Sequence, residues 1–286
     1  MREGWPSLTA MFVAWGRGVG APAPVDDPFA QHLLPPAVGQ VTRLCHQLAR
    51  SKAGLDVLRT VSVGLLDHVT LRTCAIDARL KDFMVRQPSG QVVILGAGLD
   101  ARAWRMNELS QTTVFEVDHP DTQRFKLSRL DQRPSPNAHV VHVAVDFERQ
   151  SFPDLLQKAG FDPERPTFWI WEGVTEYLTP EAIRDSLGSM ARLSAKESEM
   201  AVTYARPTLS NLAPGLRQGT YRAFSWLGEP LRGVMTTEAL QRLLERHDFE
   251  RFEDSGTQQW AQNFLPPDDA PRIELHERLM VARKRG

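Results

Sequence analysis

Gln91-Val92-Val93-Ile94-Leu95-Gly96-Ala97-Gly98-Leu99-Asp100-Ala101-Arg102 is the stretch that decides the fold. Its apolar residues, Val92 to Leu95, run unbroken into a glycine turn. A continuous apolar run suits a strand buried on both faces, as in a parallel sheet. Beyond Gly98, the spacing of Ala101, Trp104 and Met106 becomes helix-like. Glycine at such a turn lets the backbone approach a ligand with no Cβ in the way. Strand, glycine turn and helix together are how a βαβ nucleotide site begins. Gly96-x-Gly98-x-x-Ala101 also fits a dinucleotide fingerprint, which admits Ala at its third position. A plain strand–turn–helix with no ligand fits the same residues, so the rest of the chain has to decide.

Downstream, strand and helix patterns alternate. Residues 112–118 and 139–146 read as the second and third strands, both ending in aspartate. Residues 120–130 between them read as helix. Residues 167–172 are the fourth strand, followed by a helix with Thr179 as cap and Pro180 at its first position. Residues 199–204 are the fifth strand. Residues 206–234 break the rhythm with Pro, Gly, Arg and aromatics, and read as a lid insertion. A helix over 237–247, a weak strand over 249–253 and a last strand over 279–282 follow. The core, residues 91–286, is therefore an α/β, doubly wound, Rossmann-like sheet of about seven strands.

Upstream, residues 51–72 read as one helix on Leu55, Leu58, Val61, Leu65, Leu66 and Val69, and 73–85 continue it. Asp26-Asp27-Pro28-Phe29-Ala30 reads as a helix start. Residues 15–20 and 21–24, rich in Gly and Pro, read as irregular. Residues 1–90 thus form a helical cap on one domain spanning 1–286.

The 286 residues include 42% hydrophobic and 24% charged side chains, an ordinary globular balance. Lys plus Arg total 34 against 35 Asp plus Glu, a net charge of -1. No field of one sign exists to attract nucleic acid or an anionic membrane. Cys45 and Cys74 make neither a disulfide framework nor a metal cluster, and read as free thiols. No run of about eighteen apolar residues suggests a membrane span. The first residues lack the apolar centre of a signal peptide, so a cytoplasmic location is expected.

Open parallel sheets bind ligands beyond the carboxyl ends of their strands. Gly96 with Gly98, then Asp118, Asp146 and Glu172, stand at such ends on consecutive strands. A carboxylate at Asp118 suits both hydroxyls of a ribose, in NAD or in S-adenosyl-L-methionine. Asp146 suits an adenine amine, with Phe147 as an apolar face for the ring. Asp100 in the turn and Glu172 in the same cleft disfavour a pyrophosphate. They suit the ammonium and sulfonium of S-adenosyl-L-methionine.

These segments resemble the S-adenosyl-L-methionine-dependent methyltransferases of the leucine carboxyl methyltransferase-like family, which includes bacterial polyketide O-methyltransferases. The matching pieces are Asp27-Pro28-Phe29-Ala30-Gln31-His32, Arg72-Thr73-x-x-Ile76-Asp77 and Leu95-Gly96-Ala97-Gly98-Leu99-Asp100-Ala101-Arg102. Phe115-Glu116-Val117-Asp118-His119-Pro120 and Trp171-Glu172-Gly173-Val174-Thr175-Glu176-Tyr177-Leu178-Thr179-Pro180 follow in order, and Gly228-Glu229-Pro230 looks like a later family segment. The resemblance implies that Arg72 binds the cofactor carboxylate and that Gly96, Ala97 and Gly98 lie against its methionine part. It implies that Asp118 holds the ribose, Asp146 and Phe147 flank the adenine, and Glu172 meets the amino end. Arg17 falls near another basic residue of the family. Ala101, where the family usually has Thr, and Cys74-Ala75 are departures.

Methyl transfer is an in-line displacement that needs its nucleophile held at roughly 3 Å in a water-poor pocket. An ionised carboxylate acceptor needs no base, while a phenol or alcohol benefits from one. His119 and Tyr204 are the candidates, though His119 is better explained as shaping its turn after Asp118. No histidines and acids have zinc-ligand spacing, so no metal is expected. Phe12, Trp15, Tyr204, Tyr221, Phe224 and Trp226 are candidates to wall the acceptor pocket, and Arg206, Arg217 and Arg222 to hold an acidic acceptor. The expected reaction is O-methylation of a carboxyl or hydroxyl on a small natural product such as a polyketide. The alternatives are a NAD-dependent oxidoreductase, a protein C-terminal carboxyl methyltransferase, and a binding protein without turnover.

Overall fold

The computed structural model describes residues 7–130, 134–146, 150–207, 232–271 and 276–285. The strand β1 (Gln91–Leu95) is buried at every position, as an apolar run between two neighbours requires. It pairs in parallel with β2 (Thr113–Asp118) on one side. On the other side it pairs in parallel with a later strand, Thr167–Trp171. The third strand, β3 (His139–Ala144), extends the sheet beyond β2 in parallel. Thr167–Trp171 is β4, and β5 (Glu199–Ala205) lies parallel beside it. The last strands, β6 (Phe249–Gly256) and β7 (Glu277–Lys284), pair antiparallel, and β7 also runs antiparallel to β5. The order across the sheet is β3-β2-β1-β4-β5-β7-β6. After β1 the chain travels outward through β2 and β3, then returns across β1 to β4. That reversal opens a crevice above the ends of β1 and β4.

Among the described residues five helices precede β1: α1 (Leu8–Val19), α2 (Ala30–Leu33), α3 (Pro36–Leu48), α4 (Lys52–Val61) and α5 (Leu65–Arg86). Then come α6 (Arg102–Arg105), α7 (Pro120–Leu130), α8 (Phe152–Lys158), α9 (Pro180–Arg192), α10 (Thr237–Glu245) and α11 (Thr257–Phe264). Alternate strand residues face opposite layers. Val92, Ile94, Val114, Phe168 and Ile170 pack with Leu80 and Phe83 of α5 and Trp260 of α11. Val93, Leu95, Phe115, Trp169 and Val202 pack with Ile183 and Leu187 of α9 and Leu240 of α10. Thr179 caps α9 as expected, its side chain accepting from the Ala182 amide.

Residues 15–20 depart from the expectation of irregular chain. They complete α1, which is capped by the Ser7 side chain and closed by Gly20 in the left-handed region. The glycines that read as breaks are points of close packing. A Cβ on Gly16 would lie 2.8 Å from Val69 Cγ1, and one on Gly18 2.6 Å from Thr42 Cγ2. The single helix expected over 51–72 is broken, since Val63 and Gly64 both have positive φ. The break brings Arg59 of α4 onto the fully buried Asp67 of α5, at 2.9 Å. Strand β6 is longer than the weak strand expected, because an exposed edge strand carries little apolar signal. Residues 208–231, which hold Arg217, Tyr221, Arg222, Phe224 and Trp226, lie outside the described residues. Among the described residues no helix is long and apolar enough to cross a membrane.

Trp169 shows how the sheet's second layer is held. It is fully buried, stacks obliquely on Phe161 at 5.6 Å, and donates its indole N–H to Ser194 at 2.9 Å. Trp169→Ala is expected to lower the unfolding free energy by about 3–5 kcal/mol, read from the urea midpoint.

Candidate functional site

The turn after β1 is fastened from beneath. The amides of Gly96 and Ala97 both donate to the Val117 carbonyl of β2, at 2.8 and 3.2 Å. Gly96 has φ +70°, and a Cβ there would meet Val174 Cγ2 at 2.5 Å. Gly98 has φ +50°, with Ala10 of α1 directly above it. The Asp118 carboxylate binds the turn back to β2, accepting from the Gly98 amide and, at 2.6 Å, from the His119 amide. Burial pushes the Asp118 pKa up against these two amide bonds.

Helix α1 roofs this turn. Ala10 covers Gly98, and the Arg17 guanidinium donates to the Leu99 carbonyl. The Thr9 hydroxyl lies 3.4 Å from the hydroxyl of Tyr177, in the 3-10 turn Thr175–Tyr177 that follows β4. The α1 helix therefore touches both strand ends that flank the crevice.

Below the roof, arginines alternate with carboxylates in a buried chain. Arg17 pairs with Asp27 at 2.9 Å, and Asp27 faces Arg105 at 3.7 Å. Asp77 of α5 bridges Arg105 and Arg102, at 2.7 Å to each. Arg102 continues to Asp100 and, at 3.0 Å, to Glu172. Glu172 bridges to Arg72 of α5, also at 3.0 Å. Arg72 then meets Glu277 of β7 at 2.7 Å, and Glu277 meets His68 at 2.5 Å.

The residues expected at the site distribute as follows. Arg72 and Glu172 stand together as a pair at the end of β4. The Arg72 guanidinium faces Gly173, where a Cβ would come within 3.8 Å of Nη2. Arg17 is buried in the network and ties α1 to the turn. Asp146 lies two residues beyond β3, which ends at Ala144 and not at 146 as expected, and next to Val145, whose amide donates to the Asp118 carbonyl. Phe147 lies outside the described residues. His119 Nδ1 accepts from the Asp121 amide at 3.3 Å, which makes it a shaper of the α7 entry. Tyr204 is fully buried, its hydroxyl engaged by Thr237 at 2.6 Å and Asp254 at 2.9 Å.

Asp100 corrects a sequence inference. It was expected to present its charge to a cationic ligand. Instead its carboxylate is turned inward, accepting from the Arg102 amide at 2.7 Å and from the Arg102 guanidinium. Burial opposes its ionisation, but Arg102 and Arg17 outweigh that and hold it well below the usual carboxylate range. Of the acids nominated for the cationic end of a ligand, Glu172 is the one beside the crevice.

Asp27, Asp77, Arg102 and Glu176 each lie inside a segment that carries the family resemblance, but nothing local in those segments marks them as members of a buried charge network. Glu277 and His68 had no local signal. Glu176 stands out because burial, and then the charge of Glu277, push its pKa up to about 8. Glu277 also pays for burial, but Arg72 and His68 reverse the effect and keep it ionised.

These opposing shifts predict a stability optimum. Asp77 and Asp100 have folded pKa values below their unfolded ones, so their stabilisation is present above about pH 4 and lost below it. Glu176 has the reverse sign. The folded chain keeps a proton that the unfolded chain releases, so stability falls as pH rises from 4.5 towards about 8. Urea midpoints should decline on both sides, and Glu176→Gln should flatten only the alkaline decline.

The comparisons with known proteins agree with this architecture. The family model of leucine carboxyl methyltransferase matches residues 10–191. A Mycolicibacterium gilvum protein, provisionally named an S-adenosyl-L-methionine-dependent methyltransferase, is 37% identical over 204 residues. That match covers 68% of this chain and 66% of the relative. A Frankia alni protein with the same provisional name is 37% identical over 245 residues, covering 82% of this chain and 74% of its own. The chain thus matches about two thirds to three quarters of the length of these curated relatives. In fold, a crystal structure of a provisionally named methyltransferase from Thermobifida fusca superposes with a TM-score of 0.60 at 18% identity, covering 99% and 96% of the two chains. A DUF574 family protein from Streptomyces avermitilis superposes at 0.61 with 15% identity, covering 98% of each. With the family model spanning more than half the chain and these relatives above 30% identity, the protein belongs to the leucine carboxyl methyltransferase family of S-adenosyl-L-methionine-dependent methyltransferases.

Proposed function

We propose that this protein transfers a methyl group from S-adenosyl-L-methionine to an oxygen, carboxyl or hydroxyl, of a small natural product such as a polyketide. The observation that carries the cofactor reading is the Arg72–Glu172 pair facing Gly173 beside the glycine turn of β1. Gly96, Gly98 and Gly173 all have positive φ; a Cβ at Gly96 would collide with Val174, and one at Gly173 would rest against the Arg72 guanidinium. The cradle offers a guanidinium to a carboxylate and a carboxylate to an ammonium, the two halves of an amino-acid end. Asp118 stands one strand away to accept ribose hydroxyls. A dinucleotide pyrophosphate would place its negative charge against Glu172 and Asp118, which disfavours the oxidoreductase alternative.

The residues would divide the work as follows. S-adenosyl-L-methionine, when bound, supplies a methyl group activated by its sulfonium. Arg72 would hold the amino-acid carboxylate and Glu172 the ammonium. Asp118 would fix the ribose, and Asp146 with Phe147 would flank the adenine. The α1 roof, closed by the Thr9–Tyr177 contact, would exclude water from the reacting centre. The hydroxyl of Tyr204 and Nδ1 of His119 are already engaged, so neither is favoured as a base. That supports an acceptor that is ionised on arrival, such as a carboxylate.

Calorimetry tests the cofactor half. S-adenosyl-L-methionine should bind, and Asp118→Ala or Glu172→Gln should weaken it at least about tenfold. No binding, or an Asp118→Ala variant equal to the parent, would sink the proposal. Incubation with labelled cofactor and a panel of polyketide-like acids and phenols tests the acceptor half. The product should gain one methyl group, and loss of that group in base would identify an ester. Peptides with a free carboxyl terminus form a separate arm of the same screen.

A further inference from the structure

Glu176 takes no part in the roles assigned above, yet it stands in the same cleft. It follows β4 by a few residues, in the 3-10 turn Thr175–Tyr177, and its side chain is buried. Two carboxylates bind one guanidinium there, Glu172 at 3.0 Å and Glu277 at 2.7 Å from Arg72, and the charge of Glu176 bears on the same group. Their other partners differ. Glu172 also has Arg102, and Glu277 also has His68. Among the described residues Glu176 forms no ion pair of its own. From its own turn it receives the Thr175 hydroxyl at 3.4 Å. From the 232–233 segment the amides of Arg232 and Gly233 go to the Glu176 carbonyl, at 2.7 and 3.0 Å, while the Arg232 side chain is exposed. A buried cluster short of positive charge must leave one acid protonated, and the acid with the fewest cationic partners is the one that keeps the proton. The upward shift of Glu176 agrees with that geometry.

The two cofactor states differ by one charge. At neutral pH the sulfonium donor carries a net charge of about +1, while its demethylated product is a zwitterion of about zero. Both share the same amino-acid end, so Arg72 and Glu172 treat them alike. Building on the cofactor reading above, we propose that Glu176 is the residue that tells the methyl donor from its spent product, ionising beside the sulfonium and taking up a proton once that charge has gone. The proton passes to solvent when the donor binds and returns from solvent after transfer. Apart from the transfer itself, in which the S–CH3 bond breaks as the O–CH3 bond forms, no other bond changes. The donor then gains a carboxylate partner that the product does not keep, which favours exchange of product for donor. A neutral Glu176 also spares the empty cleft an unpaired buried anion.

Titration calorimetry at pH 7, in phosphate and in Tris, measures the protons released by each ligand. S-adenosyl-L-methionine should release close to one proton more than S-adenosyl-L-homocysteine. In the unmodified protein the donor-to-product affinity ratio should rise about tenfold per pH unit between roughly pH 6 and 7.5, and level off above about pH 8. Glu176→Gln should bind both ligands with the proton difference and the pH slope both gone. Equal proton release by the two ligands in the parent, or a difference that survives in Glu176→Gln, would overturn the assignment. The pH slope needs no variant, so a misfolded Glu176→Gln does not protect the idea. Binding of both ligands without linkage removes this inference alone. Binding of neither removes the cofactor reading, and this inference with it.

Discussion

The structure depends on a buried chain of opposite charges running from Arg17 to His68 beneath the cleft. Such a chain is a poor source of net stability, since each charge gives up water to enter it. Its force lies in the cost of breaking it. Removing any one member strands a buried partner, so the members hold one another in one arrangement. The arrangement joins elements that backbone hydrogen bonds leave separate. Asp27 precedes α2, Asp77 and Arg72 belong to α5, Arg102 and Arg105 to α6, Glu172 follows β4, and Glu277 opens β7. The helical cap and the sheet are thereby keyed together at the place where the ligand is proposed to bind.

The same chain gives the cleft its polarity. Arg72 is drawn towards acids on two sides, yet its guanidinium still faces Gly173. Asp100 is neutralised internally, so the negative charge at the end of β4 comes from Glu172. Charge at this site is therefore set by partner counts and not by the number of acids in the motifs. Lys126 and Glu116 show the same logic away from the cleft. They pair at 2.6 Å in a dry setting above Trp104, and pin α7 to β2.

Much of the sheet was legible because strand signals are local. Unbroken apolar runs at 92–95 and 168–171 announced strands covered on both faces, and the acids at 118 and 172 marked the ends of β2 and β4. The cap was less legible. Gly16 and Gly18 look like helix breakers in sequence, but they lie where Val69 and Thr42 press against α1. Residues 51–72 carry an unbroken apolar period, yet a turn at Val63 and Gly64 is stabilised by the Arg59–Asp67 pair that it creates. In both places a contact between distant segments outweighs the local preference.

By itself the sequence determined the alternation of strand and helix, the glycine turn, and the acids at strand ends, because each is written in a few adjacent residues. It also placed Arg72 and Glu172 among the residues of interest. Only the tertiary structure decided which charges are spent on one another and which face the cleft. Asp100 is consumed by Arg102, whereas Glu172 is shared between Arg72 and Arg102. Glu277, about two hundred residues from Arg72 in the chain, proved to be its closest partner. Ionisation of a buried group depends on what surrounds it in three dimensions, and burial and distance are not properties of a linear string.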